Sequence, residues 1–460
     1  MKKLLLSATV VAGLFAAPTV ESLQKQIELL QKQLNELKAN QKKVAKKVEE
    51  QNDRYYKKVA PVVSNTHLFL STDLRTSFDF VSQKTKSGKT YTNNILSNRV
   101  IITGIAKPAD NLKFNLKVEA NSMFGMNNSN KNSQYNNISW VANETPDDTN
   151  IRIKEAYFNY WFGKDNGYMF SAGRRPATNG YPANLREGDR AESPIAHLVN
   201  MEFDGFSFLI TNTAMSDWSD KFNDWGTSLK FCVGRGYSSS EGKWPKGSYA
   251  YAKDDKKITD FGGFILVPYD DGQYAVWMEN IWAWNMQGYT SNQLDTLGNY
   301  FGTNILFKAD GIGDGISDFL DDTKAFVSFA LSRTNPDGGK QMLGSTDSKT
   351  GSSVWIGADM PGVGDNDRWG VSFVRGSKYW RSMTYGEDTL VGSIAAVRGK
   401  AFDIYYIKQI IPHLTTSLRA TYLDYDHAGS DAFFGEGGNP DQSDYVKKAT
   451  DIRAYIRYNF

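Results

Sequence analysis

The last ten residues of the chain alternate. Ile452, Ala454, Ile456, Tyr458 and Phe460 share one parity; Asp451, Arg453, Tyr455, Arg457 and Asn459 share the other. Successive side chains of a strand point to opposite faces, so this segment has one apolar face and one charged face. The stretch from Leu112 repeats the pattern, with Leu112, Phe114, Leu116, Val118 and Ala120 set against Lys113, Asn115, Lys117, Glu119 and Asn121. Leu68, Leu70, Leu74, Phe78 and Phe80 oppose Asp73, Arg75 and Asp79. Ala156, Phe158, Tyr160 and Phe162 form a further example. Such strands need a non-aqueous medium on one side and water on the other. A closed transmembrane barrel supplies both.

Alternating segments begin near His67, Arg99, Leu112, Ala156, Tyr168, Met201, Trp225, Thr259, Gln273, Leu297, Lys324, Ser352, Asp367, Val397, Leu414 and Ala449, sixteen in all. An even count suits an antiparallel barrel whose ends meet. Connections at 107–111, 162–167, 269–273 and 411–413 are short, while 121–150, 174–200, 234–258, 375–396 and 425–450 are long and polar. That places turns on one rim and loops on the other. A β-helix would show a fixed repeat, which is missing. Segments of roughly ten residues suit a tilted span better than the strands of a soluble sandwich. The fold class is therefore an all-β transmembrane antiparallel barrel of about sixteen strands, preceded by a helical coiled coil.

Three parts are expected: a signal peptide over 1–17, a periplasmic coiled coil over 18–60, and the barrel over 61–460. Lys2 and Lys3 before the apolar run Leu4 to Ala17 read as a secretory signal. Mean hydropathy is −0.49, too polar for a bundle of membrane helices. Val20, Ile27, Leu34 and Val48 occupy one heptad position and Leu23, Leu30, Leu37 and Val44 the other, without Gly or Pro. A narrow seam of that kind needs partner helices, which implies an oligomer and leaves dimer and trimer both open. Lys42, Lys43, Lys46, Lys47, Lys57 and Lys58 form a solvated face or a contact for anionic peptidoglycan or lipid head groups. Net charge is +2 overall and the barrel segment is close to neutral, which excludes nucleic acid as an expected partner. The single cysteine, Cys232, excludes an intramolecular disulfide and reads as a packed mid-strand thiol.

The expectation is no enzyme and no cofactor. His67, His197, His413 and His427 lie far apart, without metal-ligand spacing, and read as surface or rim residues; a nucleophile elbow and a phosphate loop are missing. Asp310, Asp314 and Asp318, with Asp321 and Asp322, are a weak calcium candidate that equally suits a solvated turn. Asp365 and Asp367 with Glu387 and Asp388 are weaker still. Trp277, Trp282, Trp284, Trp355, Trp369, Trp380, Tyr405 and Tyr458 read as interface girdles, with a sugar-stacking path as the alternative.

The candidate site starts at Ala172-Gly173-Arg174-Arg175-Pro176, which ends the fifth strand and opens the third long loop. This layout resembles general bacterial porins, in which a Gly-Arg pair leads into a loop folded inside the barrel. The resemblance implies a pore constriction carrying Arg174, Arg175, Arg186, Glu187, Asp189, Arg190 and Glu192. On the lumen parity, Arg75, Arg99, Lys113, Lys117, Arg419, Arg453 and Arg457 gather into one basic wall once the first and last strands pair. Acidic loop against basic wall would set a transverse field across the constriction. The loop mixes four arginines with three acids, so anion preference, cation preference and neutral sieving all stay open.

The runs Phe261 to Gly272 (FGGFILVPYDDG), Gly311 to Asp322 (GIGDGISDFLDD) and Gly376 to Thr389 (GSKYWRSMTYGEDT), with Asp451 to Tyr458, resemble a narrower group. That group is a family of outer-membrane porins from epsilon-class proteobacteria, formerly a domain of unknown function, with an N-terminal coiled coil. The resemblance implies an outer-membrane barrel, a homotrimer by analogy, lipid around it, and passive diffusion of small hydrophilic solutes and ions. Two other functions are weighed. One is a structural protein tethering membrane to cell wall through its coiled coil. The other is a barrel enzyme, which needs a Ser, a His and an acid converging on the lipid side.

Overall fold

The computed structural model describes residues 67–124, 150–176, 178–193, 195–238, 258–291, 293–313, 315–384, 389–430 and 434–460. The expected signal segment and coiled coil with its lysines, and Asp314, Glu387 and Asp388, lie outside the described residues.

Sixteen strands are found among the described residues: β1 (His67–Thr85), β2 (Thr90–Ala109), β3 (Leu112–Met123), β4 (Asn150–Phe162), β5 (Tyr168–Arg175), β6 (Phe203–Ile210), β7 (Ser228–Ser238), β8 (Ile258–Asp270), β9 (Tyr274–Thr290), β10 (Gln293–Asp310), β11 (Lys324–Pro336), β12 (Thr350–Pro361), β13 (Arg368–Gly376), β14 (Gly399–Ile411), β15 (Leu414–Tyr425) and β16 (Val446–Asn459). Each pairs antiparallel with its chain neighbours, and β16 pairs with β1 to close the barrel. At the seam Arg457 stands opposite Arg75, and Arg453 opposite Asp79. The connections singled out from sequence fall as expected. Four others do not follow the rim rule. The β6–β7 connection (211–227) and the β10–β11 connection (311–323) are long and contain short helical turns, whereas on the opposite rim 86–89 is tight and only two residues separate β9 from β10.

The outer surface is an apolar sheath. Leu70, Leu74, Phe78, Ile102, Phe114, Phe231, Phe329, Leu331, Phe402, Ile404, Leu418 and Ile456 are all exposed and all outward by parity. A continuous apolar patch of this extent far exceeds what water tolerates on a monomer, and hydrocarbon is its natural solvent. Outward charges, among them Arg174, Asp204, Arg235, Asp260, Arg375, Lys400 and Lys408, lie near strand ends. No helix among the described residues is long and apolar enough to cross a membrane.

The lumen departs from the expected all-polar interior. Two loops fold into it: the β5–β6 loop (176–202) and the β13–β14 loop (377–398). Ile195, Leu198 and Val199 of the first, and Leu390, Val391, Ile394 and Val397 of the second, pack on lumen-facing Leu306, Phe326, Ala330, Trp355, Val374, Ala401 and Leu423. The loops pair with each other through a parallel bridge at Val199 and Met383, with Asn200 N donating to Met383 O at 2.7 Å and Met383 N to Leu198 O at 2.8 Å. Gly351 of β12 permits the second loop to cross the wall, because a Cβ there would sit 2.2 Å from the Trp380 nitrogen. One half of the barrel interior is thus an apolar core; the other half, along β15, β16 and β1 to β4, is charged.

This arrangement corrects the aromatic assignment. Trp282, Trp284, Trp369 and Tyr458 face outward, but Trp277, Trp355 and Tyr405 have lumen parity and Trp380 belongs to the second loop. Trp355, Trp380 and Tyr405 are buried in the loop–wall core, so they form neither a girdle nor a sugar path. Two of the polar tips find partners there: Trp380 Nε1 donates to Ala395 O at 2.7 Å, and Tyr405 Oη to Asp359 Oδ2 at 2.7 Å. His197 is also corrected. It is fully buried, with Nδ1 2.9 Å from Ser328 Oγ and Nε2 2.8 Å from Ser353 Oγ. His67, His413 and His427 lie at the strand ends and connections. Cys232 is mid-strand in β7, as expected.

Candidate functional site

The β5–β6 loop begins where β5 can no longer stay flat. Gly173 has φ +123, and a Cβ on it would lie 2.2 Å from Ala156 O, so only glycine fits. Strand alternation persists through the two arginines that follow and separates them. Arg175 points inward, its guanidinium 5.4 Å from the Tyr157 ring centroid, and bonds Ser171. Arg174 points outward, where Asp204 takes it at 2.9 and 3.1 Å. Arg174 therefore does not belong to the constriction, because a single residue step reverses the face.

Beyond Pro182 the chain makes a 3₁₀ turn (Ala183–Glu187) and reverses at Gly188, which carries Glu187 and Asp189 to the β16–β1 seam. Glu187 Oε2 lies 3.4 Å from Arg75 Nη1, and its Oε1 3.3 Å from Arg419 Nη1. Arg457 Nη1 donates to Glu187 O at 2.9 Å, and Nη2 reaches Asp189 Oδ1 at 2.7 Å. Further along, Glu192 Oε1 meets Lys117 Nζ at 2.5 Å, and Lys117 also pairs with Glu155. Two carboxylates thus share one ammonium. Burial of Glu192 between loop and wall pushes its carboxyl up to about 7; Lys117 opposes that rise and Glu155 adds to it.

The expected transverse field is corrected by these contacts. The acids of the loop touch the basic wall instead of facing it across water, so the field collapses into ion pairs. The wall is also less basic than its arginines imply. Asp73 holds Arg457 at 2.6 Å and Arg99 at 3.2 Å, Asp79 holds Arg453, and Glu119 holds Lys154 at 3.0 Å. Asp73 and Asp79 share parity with Arg75, so sequence alternation already placed these acids among the bases. Lys154 carried no such signal. The register shifts between Lys117 and Val118, and that irregularity turns Lys154 inward.

The passage runs beside these pairs. A cavity of roughly 700 Å³ extends from Ser71, His413, Asn459 and Phe460 at one rim to Lys154, Thr178 and Asn200 deeper in. Arg99, Lys117, Lys154, Arg186, Arg190, Arg419 and Arg457 line it, against Asp73, Glu187, Asp189 and Glu192. Seven bases face four acids, an excess of three positive charges. Of the residues expected at the constriction, the structure brings Arg186, Glu187, Asp189, Arg190 and Glu192 to this passage, with Arg99, Lys117, Arg419 and Arg457 of the wall. Arg75 meets it through Glu187; Arg453 is buried on Asp79 at the seam; Lys113 faces the lumen nearer the rim.

Of the calcium candidate, Asp314 lies outside the described residues. Asp310 lies 3.2 Å from Lys324 and 3.7 Å from Lys308, so its charge is already met by ammonium groups. Among the described residues no group of His, Cys, Asp and Glu is placed to hold a metal ion. Asp367 accepts from Tyr406 Oη at 2.8 Å and from the Gly364 and Gln409 nitrogens, which braces the β12–β13 turn.

Comparison with solved structures returns the following similarities. The anion-selective porin from Comamonas acidovorans is 11% identical with a TM-score of 0.48, covering 86% of this chain and 100% of that one. OmpT, an outer membrane protein of Vibrio cholerae, is 11% identical with a TM-score of 0.45, covering 87% and 99%. The Salmonella typhi OmpF complex with daunomycin is 10% identical with a TM-score of 0.45, covering 86% and 98%. No curated protein matches the chain. The family described as "Protein of unknown function (DUF3373)" matches residues 89–460, and the chain belongs to that family.

Proposed function

We propose that this chain is an outer-membrane porin that lets small hydrophilic solutes and ions diffuse passively past the β5–β6 loop. The observation that carries the reading is the charged passage of roughly 700 Å³ inside a closed barrel with an apolar exterior. Apolar outside and wet within is the arrangement a bilayer-spanning pore requires. The passage lies along the loop, and its ion-paired edge sets the width. In this reading the function is passage and not catalysis, a secretory signal directs export, and the heptad segment of 18–60 joins three copies in the periplasm.

A second reading draws on the lumen's apolar half. Two inserted loops packed on Trp355, Val374 and Leu423 are what a plugged barrel would show, and a plugged barrel serves as a structural anchor between membrane and cell wall. Planar-bilayer recording of the purified protein decides between them. Stepwise single-channel currents in potassium chloride are expected. A protein that inserts and never conducts would remove the porin reading and leave the anchor.

A further inference from the structure

We infer that the rim-side mouth of the passage binds small multivalent anions, phosphorylated or polycarboxylated, at Lys107, Lys113 and Arg190. This deepens the porin reading and rests on it. Lys107 and Lys113 occupy lumen-parity positions on β2 and β3, on either side of the tight turn 110–111. Arg190 follows Asp189, which Arg457 holds, so the loop presents it into the passage. Lys113 feels the like charges of both Lys107 and Arg190.

None of the three has a carboxylate partner among the described residues. Lys107 rests over the Phe69 ring at 5.9 Å, and Asp110 in the turn pairs with none of them. The acids that might have served are committed elsewhere: Glu187 to Arg75 and Arg419, Asp189 to Arg457, Glu192 to Lys117, Asp73 to Arg99 and Arg457. Neutral groups complete the mouth. Asn159 stands across from Lys113 on β4, and Ser71 and Thr103 line the cavity.

Converging cations raise one another's energy, and an anion that bridges them relieves it. A monovalent ion answers one cation only. A dianion or trianion answers several, and the guanidinium adds a planar fork matched to phosphate and carboxylate oxygens. The site therefore prefers charge number over ion size.

Calorimetric titration of the full-length protein in detergent tests this, with inorganic pyrophosphate and citrate as probes and nitrate as the monovalent control. Both multivalent anions should bind at least about ten-fold more tightly than nitrate. The double variant Lys113→Gln/Arg190→Gln should lose that margin, and the outward variant Lys400→Gln should keep it. Binding of pyrophosphate alone assigns the site to phosphorylated anions; binding of citrate alone assigns it to polycarboxylates. Unchanged affinity in the double variant, or nitrate binding as tightly as pyrophosphate, overturns the site. Chloride conductance of the wild-type protein, recorded in parallel, separates the two levels: its absence counts against the porin, not against the anion site.

Discussion

His197 shows how one side chain fastens a loop without performing chemistry. Its two ring nitrogens meet Ser328 of β11 and Ser353 of β12, and its ring lies between Trp355 and Trp380, so it ties the first inserted loop to the wall and to the second loop. Burial lowers its pKa to about 3, from the ordinary 6.5. The unfolded chain takes up a proton near pH 6.5 and the docked loop refuses it until about pH 3. Docking is therefore at full strength above pH 6.5 and weakens as pH falls below it, by up to about 1.4 kcal/mol per pH unit. Hydrogen-exchange protection of the 195–199 amides should drop between pH 7 and pH 5, and His197→Gln should flatten the profile. An equal drop in that variant would assign the effect to other groups. Nothing local in the sequence marked His197 as buried, because its hydrogen-bond partners lie on strands more than a hundred residues away.

At the scale of elements, the inserted loops decide how much of the barrel stays open. Gly351 is a point of close approach between the second loop and β12. Gly351→Ala puts a methyl group into the Tyr379–Trp380 backbone and should cost about 1–3 kcal/mol of loop docking. The expected consequence is higher single-channel conductance with more current noise. Conductance identical to wild type would show that the loop lies off the conducting path. The strands were legible because alternation with period two is a local property: each of the sixteen expected segments falls on one strand, although Arg99 and Ala156 lie nine and six residues inside β2 and β4. The insertion of 377–398 was not legible. Its sequence GSKYWRSMTYGEDT reads as a polar rim loop, and only the apolar lumen positions of β10 to β15 supply a surface for it.

For the whole molecule, charge asymmetry is the property that reaches the function. The passage has three more bases than acids when all four of its carboxylates are ionised. Glu192 has its carboxyl raised to about 7, so acidification through that range neutralises one acid and leaves the excess larger. Zero-current potentials across a potassium chloride gradient should move toward anion preference as pH falls from 8 to 6. Glu192→Gln should fix the potential at its low-pH value. A pH-dependent shift that persists in the variant would place the titrating group elsewhere.

The amino-acid sequence by itself determined the two-faced ribbon, its sixteen passes and the parity that sends each side chain out or in, because those follow from the geometry of a single strand. Only the tertiary structure decided which inward charges neutralise one another and which half of the interior fills with apolar loop. Those outcomes depend on contacts between segments hundreds of residues apart, such as Glu187 with Arg419 and Asp73 with Arg457, whose free energy exists only once the barrel has closed.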